Sequence, residues 1–599
     1  MVVEIQPDQY VSRIFEVPKN SGGHRLVLDL KDFNHFLRKT HFKMEGLLDI
    51  ASLISYGDFL ASWDLQDAFL TIAIHHSCFK YLCFDFDGVR YCFIAMVFGL
   101  TCAPRVFTKL LKIPLSYLRI NGMKNCAWLD DILLAGHSYS NTLDIISHSR
   151  SLLESLGFIV KESKSSLIPS QSISHVGFIW DSASYTVSVP MDKVSALKNL
   201  CSFAFTHTIS LRFLAKIIGT IESFKFGCPI APLHYRSLQS DLINQLEYPP
   251  NWSLSISLSS AAYTDLEWWM SCDLSLRPSS LASFSLTHQM ESDASLKGWG
   301  AYSHSKLFTQ GKWNHKESKL HINYLELLAI FLGIKALFPG SFPTSPISLL
   351  IRCDNTPAVN YINHMGGTKS KFLCSLSLEI WDYCISHNIW LKAVYFRGSD
   401  NIRADTLSRE FSDNHDYFLS PTWFSHLHSF LDFCLDIDLF ADRLNHCLPR
   451  YASRIPDPGA EFINAFSFTW TGNVYLFPPI VLLNRVIKKF VTDNCLLGLL
   501  IAPYHPSSPV FSSILNLCIS PPILLPDSAV VREPRHYKVS QLRAWIISTN
   551  ATLQRDYLQT LSPVYSKSPK KFQFRNTSHT GSNLQIGVLK GRSVLATSL

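Results

Sequence analysis

Carboxylates set inside apolar, strand-like sequence constrain this chain more than any other feature. Two such clusters occur, Ser62-Trp-Asp64-Leu-Gln-Asp67-Ala-Phe69 and Ala127-Trp-Leu-Asp130-Asp131-Ile-Leu-Leu. An ionised group in such surroundings is costly unless a cation or strong hydrogen-bond donors compensate it. Two carboxylates about 4 Å apart repel by roughly 4 kcal/mol at an effective dielectric near 20. A fold that assembles Asp64 with Asp130 and Asp131 therefore calls for a metal ion among them.

With 599 residues the chain is long enough for several domains at about 100 to 200 residues each. Lys and Arg number 54 against 47 Asp and Glu, a net charge of only +7, so a basic surface for nucleic acid has to be local. The 15 cysteines are scattered without a C-x-x-C pair, which reads as reduced thiols rather than a zinc site. With no secretory leader in view, the expectation is an intracellular protein, nucleus or cytoplasm left open. The stretch 494–526 lacks Asp, Glu, Lys and Arg, but Pro503, Pro506, Pro509, Pro521 and Pro522 interrupt it. It reads as a buried, loop-rich segment and not as a membrane span.

From Ser12 to Leu30 the pattern is strand, turn, strand, with Gly22-Gly23 at the tip and Lys19 and Arg25 flanking it. Two such cations can fold over a triphosphate; the same residues also fit an ordinary hairpin with solvated charges. Tyr81 to Tyr91 reads as a second hairpin turning at Asp87-Gly88. Phe98-Gly99-Leu-Thr-Cys-Ala-Pro104 leads into a helix over 105–118, and 125–136 reads as two short strands meeting at Asp130-Asp131. A helix follows over 140–156, stopped by Gly157, then Lys161-Glu-Ser-Lys164 and one strand over 175–180. Residues from about 190 to 285 read as mainly helical, clearest over 211–226.

A second set of acids begins at Met290-Glu-Ser-Asp293-Ala. It continues with Glu326 in the helical Ile322-Asn-Tyr-Leu-Glu, Asp354-Asn355 after the strand Ser348-Leu-Leu-Ile-Arg-Cys, and Asp405 in Asn401-Ile-Arg-Ala-Asp-Thr-Leu-Ser-Arg409. Four elements each deliver one carboxylate, which again implies a divalent-cation site.

These motifs resemble a known arrangement. Residues 1–190 look like the fingers and palm of a reverse transcriptase, and 286–410 look like a ribonuclease H. The wording of Trp63-Asp-Leu-Gln-Asp-Ala-Phe69, Phe98-Gly-Leu-Thr-Cys-Ala-Pro-Arg-Val-Phe-Thr-Lys109 and Asn401-Ile-Arg-Ala-Asp-Thr-Leu-Ser-Arg409 is most like polyproteins of tyrosine-recombinase retrotransposons of the DIRS/Ngaro type. The resemblance implies an α+β and α/β multidomain chain. Its parts are a right-hand polymerase palm-and-fingers domain (1–190), a mainly helical thumb or connection (191–285), a ribonuclease H-like α/β domain (286–410), a degenerate methyltransferase-like or structural α/β domain (420–535), and a short helix with a disordered tail (536–599).

The resemblance also implies roles. Asp64 and Asp130 would hold two Mg²⁺ ions, or Mn²⁺ in their place, with Asp131 as a third carboxylate. Phe69 would be the steric gate against a ribose 2′-hydroxyl, Lys19 and Arg25 would neutralise the β- and γ-phosphates of a dNTP, and Phe98 and Gly99 would line the templating base pair. Lys164 would protonate the departing pyrophosphate; as a lone surface lysine it is otherwise unremarkable. Asp293, Glu326, Asp354 and Asp405 would bind the two metals of the ribonuclease H, with Asn355 and Asn401 as supporting donors, and shape and 2′-hydroxyl contacts would select the hybrid. The implied partners are an RNA template, a DNA primer, an RNA/DNA hybrid and dNTPs, with a Gag-like protein and a recombinase of the same element, and no membrane.

Trp128 stands where Tyr usually precedes Leu-Asp-Asp, Val97 where Pro usually precedes Phe-Gly, and Tyr395 with Arg397 where a His-Ile-Pro-Gly turn is typical. The front of the fingers is also shorter than the pattern. None of these removes an acid, but they leave open a second reading, a weakened retroelement remnant that binds RNA or hybrid, or one that keeps only ribonuclease H activity.

Beyond 420, Ile437-Asp438-Leu-Phe-Ala-Asp442, Pro456-Asp457-Pro-Gly459 and Tyr475-Leu-Phe477-Pro-Pro479 resemble the region that follows ribonuclease H in those elements, likened to an adenine-N6 methyltransferase. That chemistry needs Asp or Asn before Pro-Pro and an aromatic after it; here those places hold Phe477 and Ile480. The expectation is a structural or nucleic-acid-packing domain without methyl transfer. A helix is expected over 540–558, and no recombinase Arg, His and Tyr set is assignable.

Overall fold

The computed structural model describes residues 8–18, 24–274, 278–282, 285–339, 346–411, 417–532, 541–560, 586–589, 592–595 and 597–598. The chain divides into two compact units, Met1–Phe284 and Ser285–Leu599.

The first unit opens with the expected hairpin, β1 (Ile14–Pro18) against β2 (His24–Leu28). After α1 (Leu47–Leu53) and β3 (Phe59–Asp64) comes the second hairpin, β4 (Cys83–Phe86) with β5 (Val89–Cys92). Asp87 and Gly88 turn it with φ of 49° and 74°, the left-handed pair that a two-residue hairpin needs. Its register sets Cys83 opposite Cys92, and the two form a disulfide. That corrects the expectation of thiols throughout, because cross-strand register is invisible in cysteine spacing.

Next come α2 (Ala103–Ile120), β6 (Lys124–Trp128), β7 (Asp131–Gly136), α3 (Tyr139–Ser155) and β8 (Ser166–Ser170). The central antiparallel sheet runs β6-β7-β3-β8. Its middle strands are apolar on both faces, and alternate residues feed two cores. Ala61, Trp63, Ile132 and Leu134 pack with α2 and α3, while Leu60, Leu133 and Ala135 pack on the other side.

The expected single strand at 175–180 is instead a hairpin, β9 (Ser172–His175) and β10 (Phe178–Asp181), turned at Val176 and Gly177 with φ of 46° and 78°. Strand β11 (Thr186–Ser188) extends it. Then follow α4 (Met191–Thr206), β12 (Ile209–Ser210), α5 (Leu211–Phe224), α6 (Arg236–Gln245), β13 (Ser255–Ile256), α7 (Ser260–Ser271) and β14 (Ser279–Ser280). One continuous core joins Leu60 and Leu133 to Leu197, Leu214, Ile217 and Trp269, so the helices share their interior with the sheet's second face.

The second unit begins with β15 (His288–Ala294), β16 (Gly298–Ser303), β17 (Phe308–Lys312), α8 (Ile322–Leu337), β18 (Ile347–Cys353), α9 (Thr356–Asn363), α10 (Lys371–Ser386), β19 (Ile389–Tyr395) and α11 (Ile402–Arg409). The sheet runs β17-β16-β15-β18-β19, antiparallel through the first three strands and parallel from β15 to β19.

A second lobe of this unit holds β20 (Tyr417–Leu419), α12 (Pro421–Ser429), β21 (Ile437–Asp438), β22 (Ala452–Ser453), β23 (Phe462–Ile463), β24 (Val474–Leu476), α13 (Leu483–Thr492), β25 (Gly498–Pro503), α14 (Pro509–Leu517), β26 (Ile523–Leu524), β27 (Val530–Arg532), β28 (Leu542–Ile547), α15 (Ala551–Thr560), β29 (Ile586–Leu589), β30 (Arg592–Leu595) and β31 (Thr597–Ser598). The six-stranded sheet is ordered β21-β24-β25-β28-β26-β31. Tyr475, Leu499 and Ile501 face one core; Val474, Leu476, Leu500 and Ala502 face the other.

One expectation is extended here and another changes. The uncharged stretch 494–526 is loop-rich as expected, but it also supplies the central strand β25 and α14, with Pro503 ending one and Pro509 starting the other. The helix expected over 540–558 is the strand β28 followed by α15, because Leu542, Ala544 and Trp545 are claimed by the two cores of the sheet. Among the described residues no helix is long and apolar enough to cross a membrane. The tail over 561–585 lies outside the described residues.

Candidate active sites

The strand pairing of the first unit brings its acids together. Asp64 ends β3, Asp131 begins the antiparallel β7, and the two are register partners. Asp130 lies in the turn between β6 and β7, beside Leu129 with its φ of 57°, and the Leu65 N–H donates to the Asp130 carbonyl at 3.1 Å. All three carboxylates are therefore carried at one end of one sheet. Burial first, then Asp130 and Asp64, push the Asp131 carboxyl up to about 6, with Lys164 pulling the other way.

Lys164 reaches this end because its short helix is hooked onto β3. The Lys161 N–H donates to the Asp64 carbonyl at 2.8 Å, and the Asp64 N–H donates to Ser165 Oγ at 3.0 Å. Ser165 is a positioning residue that the sequence reading missed, since a serine beside a lysine carries no distinguishing pattern.

Phe69 sits one short turn past Asp67, whose φ is 48°. Its ring centroid lies 5.0 Å from Phe98 and 5.6 Å from Phe107, so the expected gate and one of the expected base-pair contacts touch. Gly99 has φ of 106°, and a Cβ there would stand 2.7 Å from the Leu28 carbonyl oxygen. Asn34, also missed, clamps the turn: its Nδ2 donates to the Gly99 carbonyl at 2.8 Å and its Oδ1 accepts from the Thr101 N–H at 2.9 Å. Lys19 lies outside the described residues, and of Arg25 only the backbone is described, opposite Val17 in the hairpin.

In the second unit Asp293 lies on the central strand β15 and Asp354 directly follows β18, its parallel neighbour. Glu326 enters from α8 and Asp405 from α11. Burial, then Asp293 and Asp354, push Glu326 up to about 9. Burial, offset by the Ser408 hydroxyl and reinforced by Asp354 and Asp405, sets Asp293 at about 6. Asp354 is raised by burial and by Asp405. The four predicted acids are thus one electrostatically coupled group, the arrangement a dication relieves.

Several neighbours were not foreseen. Ser408 Oγ donates to Asp293 Oδ2 at 2.6 Å, and Arg409 Nε pairs with Asp405 Oδ1 at 2.6 Å. Cys353 lies against Glu326 at 3.8 Å, and ligand atoms of Glu326, Cys353 and Asp354 fall within 4.8 Å of one another. Burial and the surrounding acids push the Cys353 thiol far up, so it stands there as a neutral thiol. Asn401 Nδ2 donates to the Ser292 carbonyl at 3.0 Å, tying α11 to the Asp293 strand. Asn355 caps α9 through the Ala358 N–H at 2.9 Å and donates to Asn323 Oδ1 at 3.0 Å. Both asparagines therefore brace backbone and neighbouring side chains.

The family model for reverse transcriptase (RNA-dependent DNA polymerase) matches residues 17–180. The genome polyprotein of Petunia vein clearing virus is 26% identical over 428 residues, covering 69% of this chain and 18% of that polyprotein. The enzymatic polyprotein of Cauliflower mosaic virus (strain Strasbourg) is 22% identical over 413 residues, 66% of this chain and 57% of its own length. The transposon Tf2-3 polyprotein of Schizosaccharomyces pombe is 22% identical over 406 residues, 66% of this chain and 28% of the polyprotein. The chain thus spans between 18% and 57% of the length of these relatives. Among solved structures, a foamy viral protease-reverse transcriptase in complex with dsDNA aligns at TM-score 0.42 and 18% identity, over 65% of this chain and 78% of that one. The same viral protein with an RNA/DNA hybrid aligns at 0.41 and 17%, over 65% and 51%. Residues 17–180 are a reverse transcriptase domain, and polyproteins of viruses and transposons are the homologues of the chain.

Proposed function

We propose that the chain is an RNA-directed DNA polymerase with an attached ribonuclease H, copying the transcript of a retroelement of the tyrosine-recombinase DIRS/Ngaro type inside the cell. The observation that carries the reading is the convergence of Asp64, Asp130 and Asp131 at one end of the β6-β7-β3-β8 sheet. Burial and mutual repulsion at these carboxylates suit a pair of divalent cations, Mg²⁺ with Mn²⁺ as the alternative. When bound, such ions would supply activation of the primer 3′-hydroxyl and charge neutralisation of the triphosphate.

The chain's own groups do the rest. The Phe69 ring, backed by Phe98 and Phe107, bars the 2′-hydroxyl of a ribonucleotide. Phe98 and Gly99 bring an apolar edge and bare backbone to the templating pair, and Lys19 and Arg25 hold the triphosphate tail. Lys164 delivers a proton to the departing pyrophosphate. In the second unit Asp293, Glu326, Asp354 and Asp405 would hold the ions that support hydrolysis of the RNA strand. Ser408 and Asn401 keep the Asp293 strand and α11 in register. The β17-β16-β15-β18-β19 topology, three antiparallel strands continued by parallel ones, supports the ribonuclease H reading. The element's Gag-like protein and recombinase are the proposed protein partners.

RNA-templated primer extension with Mg²⁺ and dNTPs tests the first activity. The chain should extend a primer, and Asp130→Asn should abolish extension while leaving hybrid cleavage intact. Asp293→Asn should do the reverse. Failure of the unsubstituted chain to extend a primer that it binds would refute the polymerase reading for this chain.

A further inference from the structure

A cavity of about 700 Å³ in the second unit has none of Asp293, Glu326, Asp354 and Asp405 in its lining. It opens at the carboxyl ends of the adjacent parallel strands β21 and β24, among the residues that follow them, Phe440 and Phe477-Pro478-Pro479. Its opposite wall comes from the first lobe, where Gln310, Lys312 and Trp313 on and after β17 line it. The volume falls within the range of sites that enclose small organic ligands, and the carboxyl edge of parallel strands is where open α/β sheets bind them.

The walls are held in place by two acids, the buried Asp438 and the half-buried Asp442. Asp438 Oδ2 accepts the Cys447 N–H at 3.0 Å and Oδ1 the Phe440 N–H at 3.3 Å, while Asp442 Oδ1 accepts the Leu444 N–H at 2.7 Å. Arg443 is fixed by Glu317 at 2.7 and 3.0 Å. Such bracing pre-forms the cavity and lowers the entropy lost on binding.

Its lining is rich in aromatic rings and carries cationic side chains beside two carboxylates, Asp442 and Asp457, both of them already engaged in hydrogen bonds within the wall. Phe440 and Phe466 meet edge to face at 5.8 Å, and the Arg485 guanidinium lies 3.9 Å over the Phe466 ring at the exposed mouth. Among the described residues Arg485 pairs with no carboxylate. Aromatic faces inside and a stacked guanidinium at the rim match a flat heterocycle carrying a phosphate. We propose that this cavity, built jointly by the two lobes, binds an unstacked nucleobase together with its phosphate, as a site separate from polymerisation and hydrolysis. The base enters between Phe440, Phe466 and Phe477, and the phosphate stays at Arg485. The source is either a strand of nucleic acid or a free nucleotide.

The test uses the full chain in a buffer free of divalent ions, photo-crosslinked to a short oligothymidylate bearing one 4-thiothymidine, with the attached peptide identified by mass spectrometry. Crosslinks should fall on the segments around Phe440, Phe466 or Phe477. Arg485→Gln should cut their yield at least tenfold, whereas Lys488→Gln, which removes an equal charge from the same helix outside the cavity, should change it less than twofold. Ala441→Phe, which fills the cavity, should abolish them while primer extension persists. Competition by excess AMP identifies a free nucleotide as a ligand; competition by unlabelled oligonucleotide alone identifies a strand. Crosslinks confined to other segments, or equal losses in Arg485→Gln and Lys488→Gln, would overturn the proposal.

Discussion

At Gly99 the backbone makes a demand that few side chains can meet. Its φ of 106° and the 2.7 Å approach of a notional Cβ to the Leu28 carbonyl mean that Gly99→Ala strains the turn and lifts β2 away from it. The cost should be about 2 kcal/mol, visible as a lower denaturation midpoint and as faster amide exchange over 28–34. The same turn presents Phe98 to Phe69, so its loss should also raise the KM for dNTPs. Phe69 is a different case, because its ring is packed on two others and only half-buried. Phe69→Val leaves an apolar group on the site but shortens the barrier. The ratio of kcat/KM for ribonucleotides over deoxyribonucleotides should rise by about tenfold or more; an unchanged ratio would remove Phe69 from the gate.

At the scale of elements, what the sequence revealed was set by how local each signal was. The hairpins at 14–28 and 83–92 and the helices at 103–120, 139–155 and 322–337 follow from alternation, turn residues and spacing alone. Asp64, Asp130 and Asp131 stood out because carboxylates beside apolar strand sequence are rare, whereas Glu326 and Asp405, carried on helices, stood out only through the order of the motifs and their resemblance. What was hidden depended on distant partners: the Cys83–Cys92 register, the serines that hold Asp64 and Asp293, and the strand fate of 542–547, where a central position in a sheet overrode helical spacing. The helix α8 shows the energetic consequence. It is buried almost all round, and Glu326 sits on it with its carboxyl raised from an ordinary value near 4.5 to about 9. A raised folded-state value favours the protonated form, so the contribution to stability is full below about pH 4.5 and is lost as pH climbs toward 9. The metal-free second unit should therefore melt at progressively lower temperature between pH 5 and pH 9. Glu326→Gln should flatten that slope, and added Mg²⁺ should largely restore the alkaline melting temperature of the unsubstituted chain. A metal-free profile with no alkaline decline would show that the four acids are not coupled as described.

For the molecule as a whole, the decisive contacts lie within the second unit, where the two lobes are joined by groups drawn from sequence far apart. The Arg443 guanidinium makes two bonds to Glu317 at 2.7 and 3.0 Å and one to the Lys312 carbonyl at 3.3 Å. The buried Thr309 hydroxyl donates to the Pro456 carbonyl at 2.7 Å. Because both ends of the ion pair are largely shielded, at 18% and 16% exposure, truncating one leaves the other charge half-buried without its partner. Arg443→Met should cost about 2 to 3 kcal/mol and let the lobes separate before either unfolds. Burial lifts the Glu317 carboxyl, but the Arg443 hydrogen bonds hold it below its usual range, so this contribution is present above about pH 4.5 and fades on acidification. Hydrogen exchange on the full chain is the measurement. Arg443→Met at neutral pH, or the unsubstituted chain at acid pH, should lose protection over 308–318 and 440–458 while β15 and β25 keep theirs. Equal loss in those central strands would mean that the lobes unfold as one body and that the pair does not define their joint.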